Sequence, residues 1–270
     1  MENFYEELYS SPLEKTVRKS NELIQQSRYE MPLLQQKIVL YLISQISPYD
    51  EDFKTFEFNI REFCRVCGID CDNGGNYELL KKQIQAISSQ CFWIQLGDTE
   101  KTEVLFHWIS KARIKNKSGL IQIRLDEDLK PFLLQLKKNF TKYELIYTLN
   151  FKSKYTLRIY ELIKSIHYNE LEELEYIFSL EKLKKLTGSQ NYKKYDHFKN
   201  RVLLPAINEI NEHSDKNVEY EPLKTGKSIT AIKFRITTKS PVETAQITGD
   251  IAKNINYNQL VFPGFDGVEI

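Results

Sequence analysis

The chain carries one pattern twice. Tyr176-Ile-Phe-Ser-Leu-Glu-Lys-Leu-Lys-Lys-Leu-Thr-Gly188 repeats Phe56-Glu-Phe-Asn-Ile-Arg-Glu-Phe-Cys-Arg-Val-Cys-Gly68 without a gap, at an offset of 120 residues. Aromatic positions coincide (Phe56 with Tyr176, Phe58 with Phe178), as do helix-capping types (Asn59 with Ser179) and apolar positions (Ile60 with Leu180, Phe63 with Leu183, Val66 with Leu186). Three further blocks recur in the same order. Tyr41–Ile46 is echoed by Tyr160–Ile166, Tyr77–Ile84 by Tyr195–Val202, and Ile121–Leu125 by Ile232–Ile236, at offsets of 119, 118 and 111. A chance match of one block is common; four in order mark a duplicated unit. The unit must then close its own core within about 120 residues, and 270 residues hold two such units plus tails.

The order of elements inside the unit narrows the fold. After Pro32, residues Leu34, Ile38, Tyr41, Leu42 and Ile46 recur at helical spacing. Phe56-Glu-Phe58 reads as a short strand, and Asn59 with Glu62 forms a capping box for a helix ending at Gly68. Tyr77, Leu80, Ile84 and Ile87 line one side of the next helix. The period then changes: Phe92–Leu96, Val104–Ile109 and Leu120–Leu125 are rich in β-branched and aromatic residues and read as strands. Lys111–Gly119 reads as a basic hairpin tip between the last two. Val17–Ile24 begins a short helix or strand. Asp126 predicts a helix through Leu136, and Thr141 with Glu144 predicts another capping box in the connection. In the second copy, Val218–Glu221 and Ile229–Ile236 are strands around a short tip, Lys224-Thr-Gly-Lys227. Helix, strand, helix, helix, hairpin is the order of a winged helix. The expectation is an α+β fold of tandem winged-helix domains related by internal duplication. Its parts are an acidic arm (1–14), a first domain for dimerisation and auxiliary DNA contact (15–136), a second for main DNA binding (137–239) and a partly disordered tail (240–270).

Charge distribution says more than the formal net charge of +1. Residues 1–14 contain Glu2, Glu6, Glu7 and Glu14 and no base, and the tail after 240 is also acidic, whereas residues 180–239 hold 13 Lys or Arg against 7 Asp or Glu. A basic second unit lies between acidic ends. No apolar run approaches the ~18 residues of a membrane helix, and the N-terminus lacks the apolar core of a signal peptide. Four cysteines, three of them within eight residues, do not form a secreted disulfide framework. These features predict a cytoplasmic protein that needs no cofactor.

The helix after the second repeat block is the candidate reader of DNA. At 100° per residue, Phe198, Val202, Ala206 and Ile210 make its core face, and Lys193, Lys194, Asn200 and Arg201 fall within about 60° of His197 on the other side. Arg and Asn can bond base edges bidentately, and Lys meets phosphate. Lys199 falls on the core side, from which its long side chain snorkels to the rim. The first unit offers a weaker face, with Lys81, Lys82 and Gln85, and Lys111, Arg113, Lys115 and Lys117 in its hairpin. This unit either touches the DNA backbone or pairs its strands with a second subunit. Cys64, Cys67 and Cys71 invite a metal, but a structural zinc site wants four ligands. Cys67 matches Thr187 in the repeat, so these read as small helix residues and no metal is expected. A DNA nickase would need a tyrosine nucleophile and a metal clamp. His107, His167, His197 and His213 stand far apart, most of the 16 tyrosines occupy apolar positions, and no phosphate-binding loop occurs. A non-enzymatic binder is the expectation.

Four stretches carry a resemblance to a known family: Lys19-Ser-Asn-Glu-Leu23, Ser153-Lys-Tyr-Thr-Leu-Arg-Ile-Tyr-Glu-Leu-Ile163, Phe198-Lys-Asn-Arg-Val-Leu-Leu-Pro-Ala-Ile-Asn-Glu-Ile210 and Ile232-Lys-Phe-Arg-Ile236. Over residues 15–238 the chain resembles the replication initiator proteins of iteron-containing, theta-replicating bacterial plasmids. The resemblance implies tandem winged helices, the second docking in the major groove of a repeated origin sequence. It implies that the first unit mediates dimerisation, with monomers initiating replication and dimers repressing the protein's own promoter. Host initiator and helicase proteins are the implied partners. It carries a base-reading role to Lys193, Lys194, His197, Asn200 and Arg201 and a phosphate role to Lys224 and Lys227. The short second wing and the tail after 240 depart from the pattern. A tandem winged-helix transcriptional regulator and a tyrosine nickase or relaxase are the rival expectations.

Overall fold

The structure, a computed structural model, describes residues 15–59, 75–96, 102–115, 119–168 and 172–254. The first-copy helix expected up to Gly68, with Cys64, Cys67 and Cys71, lies outside them, as does Lys117. Two winged-helix domains follow one another, as the duplication predicts.

The first unit opens with β1 (Thr16–Ser20), α1 (Asn21–Gln26), β2 (Ser27–Arg28) and α2 (Leu33–Ile43). Then come β3 (Phe56–Asn59), α3 (Gly75–Ser89), β4 (Cys91–Leu96), β5 (Thr102–His107), β6 (Ile109–Lys115) and β7 (Leu120–Leu125). After α4 (Lys130–Leu133), β8 (Phe140–Glu144) and α5 (Leu145–Leu149), the second unit runs through α6 (Lys154–Ile166), β9 (Leu174–Ser179) and α7 (Leu180–Leu186). It continues with α8 (Tyr195–Phe198), a π-helical turn (Lys199–Leu203), α9 (Leu204–His213), β10 (Lys216–Thr225), β11 (Ser228–Thr238) and α10 (Pro241–Asn254).

The repeat is visible in strand register. The first unit's sheet has the order β3-β7-β6 and the second's β9-β11-β10. Phe56 and Phe58 face Ile123 and Ile121, while their counterparts Tyr176 and Phe178 face Phe234 and Ile232. Alternation sets this register: Phe58, Ile121, Ile123, Phe178, Ile232 and Phe234 all point into buried core. The first unit adds a hairpin, β4–β5, that pairs with β2 in a separate sheet.

Three local expectations are corrected. The strand expected over Val104–Ile109 breaks at Trp108 into β5 and β6, each in its own sheet. The helix expected from Asp126 to Leu136 is a 3-10 turn, capped by Asp126, followed by only Lys130–Leu133. Beyond it Gln135 and Asn139 take positive φ, which ends helical structure. Thr141 caps nothing: it lies in β8, paired with Lys19 of β1, and its hydroxyl donates to Asn21 Oδ1 at 2.6 Å. Of the tail after Ser240, residues through Asn254 form α10, and residues 255–270 lie outside the described residues. Ser240 and Glu243 form a capping box with Pro241 at the first helical position, and Ile251 is buried.

The seam between the units is a buried polar network. Arg158 and Glu161 on α6 and Lys19 on β1 are at most 2% exposed. Glu161 accepts from Lys19 Nζ at 2.6 Å, Tyr143 Oη at 2.7 Å and Arg158 Nη1 at 3.0 Å. Arg158 also donates to the carbonyls of Ile24 and Leu186 and to the Tyr29 hydroxyl, whose ring lies 4.6 Å from its guanidinium. Burial alone would raise the Glu161 carboxyl's pKa, but Lys19 and Arg158 outweigh it and hold it below the usual carboxylate range. Two of the stretches that carry the family resemblance, around Lys19 and around Arg158, therefore meet at this seam.

Gly188 seals the same seam. It takes φ +63° and ends α7, with Gly188 N–H donating to Lys185 O and Ser189 N–H to Lys184 O. A Cβ there would stand 2.8 Å from Glu30 Cγ of the first unit. Gly188→Ala is expected to lower stability by about 1–2 kcal/mol for the left-handed backbone alone, read as a shift of the urea midpoint at unchanged slope.

Candidate nucleic-acid interface

The helix made by α8, the π turn and α9 is continuous, and its inner side is core. Phe198, Val202, Leu203, Ala206 and Ile210 are fully buried. The π turn has a local cause. Pro205 has no N–H to give to the Arg201 carbonyl, and Leu204 N–H donates five residues back to Lys199 O. The turn widens the helix where it faces outward, and His197, Asn200 and Arg201 are all exposed. Arg201 has no ion-pair partner among the described residues, so its donor fork is free. Lys199 is half-buried, as its wheel position predicts.

Lys193 and Lys194 are exposed but do not lie on the helical wheel. The helix starts at Tyr195, Lys194 is its N-cap in extended conformation, and no side chain caps it. Their expected place beside His197 on one helix face is corrected: they project from the loop entering the helix. That loop is held by Lys184 of α7, a residue the sequence reading missed. Lys184 Nζ donates to Tyr192 O at 2.6 Å and Lys193 O at 3.3 Å and sits 5.4 Å from the Phe198 ring centroid. Burial, then the charge of Lys193, lowers its pKa. Its lysine-rich helix gave no signal that one lysine turns inward.

The second wing is the hairpin β10–β11. Gly226 at φ +62° takes the first central position of a two-residue turn between Thr225 and Ser228. Lys224 and Lys227 are exposed there. A shallow groove between α7 and the wing is lined by Ser179, Leu180, Glu181, Lys184, Gln190, Lys193, Ile229 and Thr230. Loop lysines, outward Asn200 and Arg201, and wing lysines thus belong to one unit and carry no acidic partner among the described residues.

The first unit is arranged differently. Lys81 and Lys82 are exposed on α3, with Glu78 4.0 Å from Lys81. Lys111 and Arg113 are exposed but not at a hairpin tip, which corrects the expectation. β6 continues to Lys115, with Ala112 opposite Ile123 and Ile114 opposite Ile121, so Lys111 and Arg113 alternate outward on the strand. The side chain of Lys115 lies outside the described residues. On the neighbouring hairpin, Trp93 (47% exposed) and Leu105 (40% exposed) face each other across β4–β5, and β5 is a sheet edge.

Among the described residues no group of three His, Cys, Asp or Glu could hold a metal, and no helix is long and apolar enough to cross a membrane.

Comparison with known proteins agrees with this architecture. Residues 16–164 match the family model described as Initiator Replication protein, WH1, and residues 179–236 the one described as Initiator Rep protein, WH2. The chain is similar to a "Replication initiation protein" of Escherichia coli, 26% identical over 229 residues, which span 83% of this chain and 70% of that protein. Its fold is similar to that of the Pi initiator protein, solved in complex with iteron DNA, with a TM-score of 0.67 at 19% identity over 84% of this chain and 99% of that one.

Proposed function

We propose a function from one premise: this chain belongs to the initiator replication protein family, both of whose winged-helix models it matches. It starts plasmid replication by binding directly repeated origin DNA, without catalysing a reaction. The observation that carries this reading is the second unit's outward Asn200 and Arg201, with no acidic partner among the described residues and flanked by exposed lysines on the entering loop and the wing. Asn200, Arg201 and His197 read base edges in the major groove; Lys193, Lys194, Lys224 and Lys227 meet phosphates. Lys81 and Lys82 of the first unit add backbone contacts. Bending across adjacent repeats, not bond cleavage, opens the origin, and host initiator and helicase proteins follow.

The first unit also mediates homodimerisation, and the dimer represses the protein's own promoter. Trp93 and Leu105, two large apolar side chains exposed beside a strand edge that is unpaired among the described residues, support this part of the reading.

Supplying the chain in trans to a plasmid that carries only the repeated origin region tests the whole proposal. Replication is the expected result; nicking of supercoiled plasmid with divalent metal, abolished by one Tyr→Phe change, would replace it with a relaxase. Lys227→Ala is expected to weaken all duplex sequences alike and to flatten the slope of log K against log salt by about one unit, measured by fluorescence anisotropy titrations at several salt concentrations.

A further inference from the structure

At two matched positions the duplicated sheets carry opposite charge. In the first unit Lys111 lies opposite Arg124 and Arg113 opposite Gln122. In the second, Glu219 lies opposite Arg235 and Glu221 opposite Lys233. Arg124 and Arg235 are repeat counterparts, as are Gln122 and Lys233, so Lys111 corresponds to Glu219 and Arg113 to Glu221. All four of these side chains are exposed.

The surroundings extend the contrast. Thr55, Lys111, Arg113, Gln122 and Arg124 line one shallow depression; Glu57 accepts from Gln122 and Glu127 pairs with Arg124 at its edge, while Lys111 and Arg113 have no ion pair among the described residues and keep the face basic. On the other sheet, Glu173, Glu175 and Glu219 surround Arg235 at 3.2–3.6 Å, and Glu221 lies 2.9 Å from Lys233. Carboxylates there outnumber the cations they pair with. Both faces turn away from the helices of their own units, because the alternate residues Ile121, Ile123, Ile232 and Phe234 point inward and are buried. Each face lies on the outer side of its sheet, so neither is part of the α8–α9 helix surface.

Direct repeats place successive copies by translation and rotation along one axis, with no two-fold relating them. A contact between neighbours is then heterologous, joining two different surfaces. This chain presents two such surfaces of opposite sign, one on each unit. We propose that the basic outer sheet face around Lys111 and Arg113 docks on the acidic outer sheet face around Glu219 and Glu221 of a second copy seated on the neighbouring repeat. This rests on the reading of the chain as a binder of repeated DNA. Held on one duplex, the copies meet at high effective concentration, so a small charged contact suffices, and salt weakens it.

The test is binding of the full chain to duplexes carrying one repeat or two adjacent repeats of its own origin. The wild type is expected to fill two repeats with cooperativity of about tenfold. Lys111→Glu with Arg113→Glu abolishes the cooperativity, and so does Glu219→Lys with Glu221→Lys. All four changes in one chain restore it, and single-repeat affinity stays within about twofold throughout. Neutral pairs, Lys111→Ser with Arg113→Ser and Glu219→Gln with Glu221→Gln, reduce it in the same sense, and preserved single-repeat binding shows that each variant is folded. Independent filling by the wild type, cooperativity that survives either swap, or failure of the fourfold variant to restore it overturns the proposal. Loss of single-repeat affinity in the Lys111 and Arg113 variants also overturns it and returns those residues to DNA contact, leaving the initiator reading intact. A wild type that does not distinguish the single repeat from shuffled duplex overturns both.

Discussion

Glu161→Ala is expected to destabilise the protein by about 3–5 kcal/mol, because it strands two buried cations. Lys19 Nζ stands 2.6 Å from Glu161 Oε1 and Arg158 Nη1 3.0 Å from Oε2, and both cations are 2% exposed. Without the carboxylate neither can be solvated unless the seam opens. For a chain of this size the loss corresponds to a fall of about 10 °C in Tm, measured by calorimetry. Replacing the whole cluster, with Lys19→Met, Glu161→Leu and Arg158→Met together, is expected to cost far less than the single change. The pH dependence follows from the depressed carboxyl pKa. Its share of stability is fully present above the unfolded glutamate pKa of about 4.3 and is lost as pH falls through the lower folded value. Glu161→Gln is therefore expected to flatten the acid limb of the stability curve below about pH 4. An unchanged acid limb would mean that the seam does not depend on this charge.

Arg201→Ala is expected to weaken binding to the cognate repeat by about 1–3 kcal/mol and to relax preference at one base pair, without that loss on random duplex. The structure explains why this residue is singled out among so many bases. Its guanidinium is exposed on the π turn, with no carboxylate engaged, on a helix whose other side is anchored by the fully buried Phe198 and Val202. Arg201→Lys is expected to recover only part of the loss, since an ammonium keeps the charge but not the planar fork. Competition binding against a library randomised one position at a time reads the change. Equal losses on cognate and random DNA would move Arg201 to the phosphate-contacting set with Lys227.

Much of the fold was legible because it is written twice. The aromatic and apolar positions that match between Phe56–Phe58 and Tyr176–Phe178 are those that set the register of both sheets. Local signals were also present where the reading fell short. Ser240 and Glu243 spell a capping box ahead of α10, and Lys111 and Arg113 alternate with Ala112 and Ile114 as an outward-facing strand does. Pro205 warned that a uniform wheel would fail across Lys199–Leu203. Other features had no local signal. Lys19 and Glu161 are far apart in sequence, and only the packing of β1 against α6 brings them together. Lys184 turns inward because the carbonyls of Tyr192 and Lys193 converge on it.

Sequence reading by the second unit shows in the discrimination between a cognate and a shuffled duplex. Its most direct measurement is the affinity of the full chain, at physiological salt, for one origin repeat against the same bases shuffled. A ratio of about 10³ or more is expected, falling at least fivefold in Arg201→Ala, the lower bound of about 1 kcal/mol. Affinities for the two duplexes within about tenfold of each other, or a ratio untouched by Arg201→Ala, would contradict it.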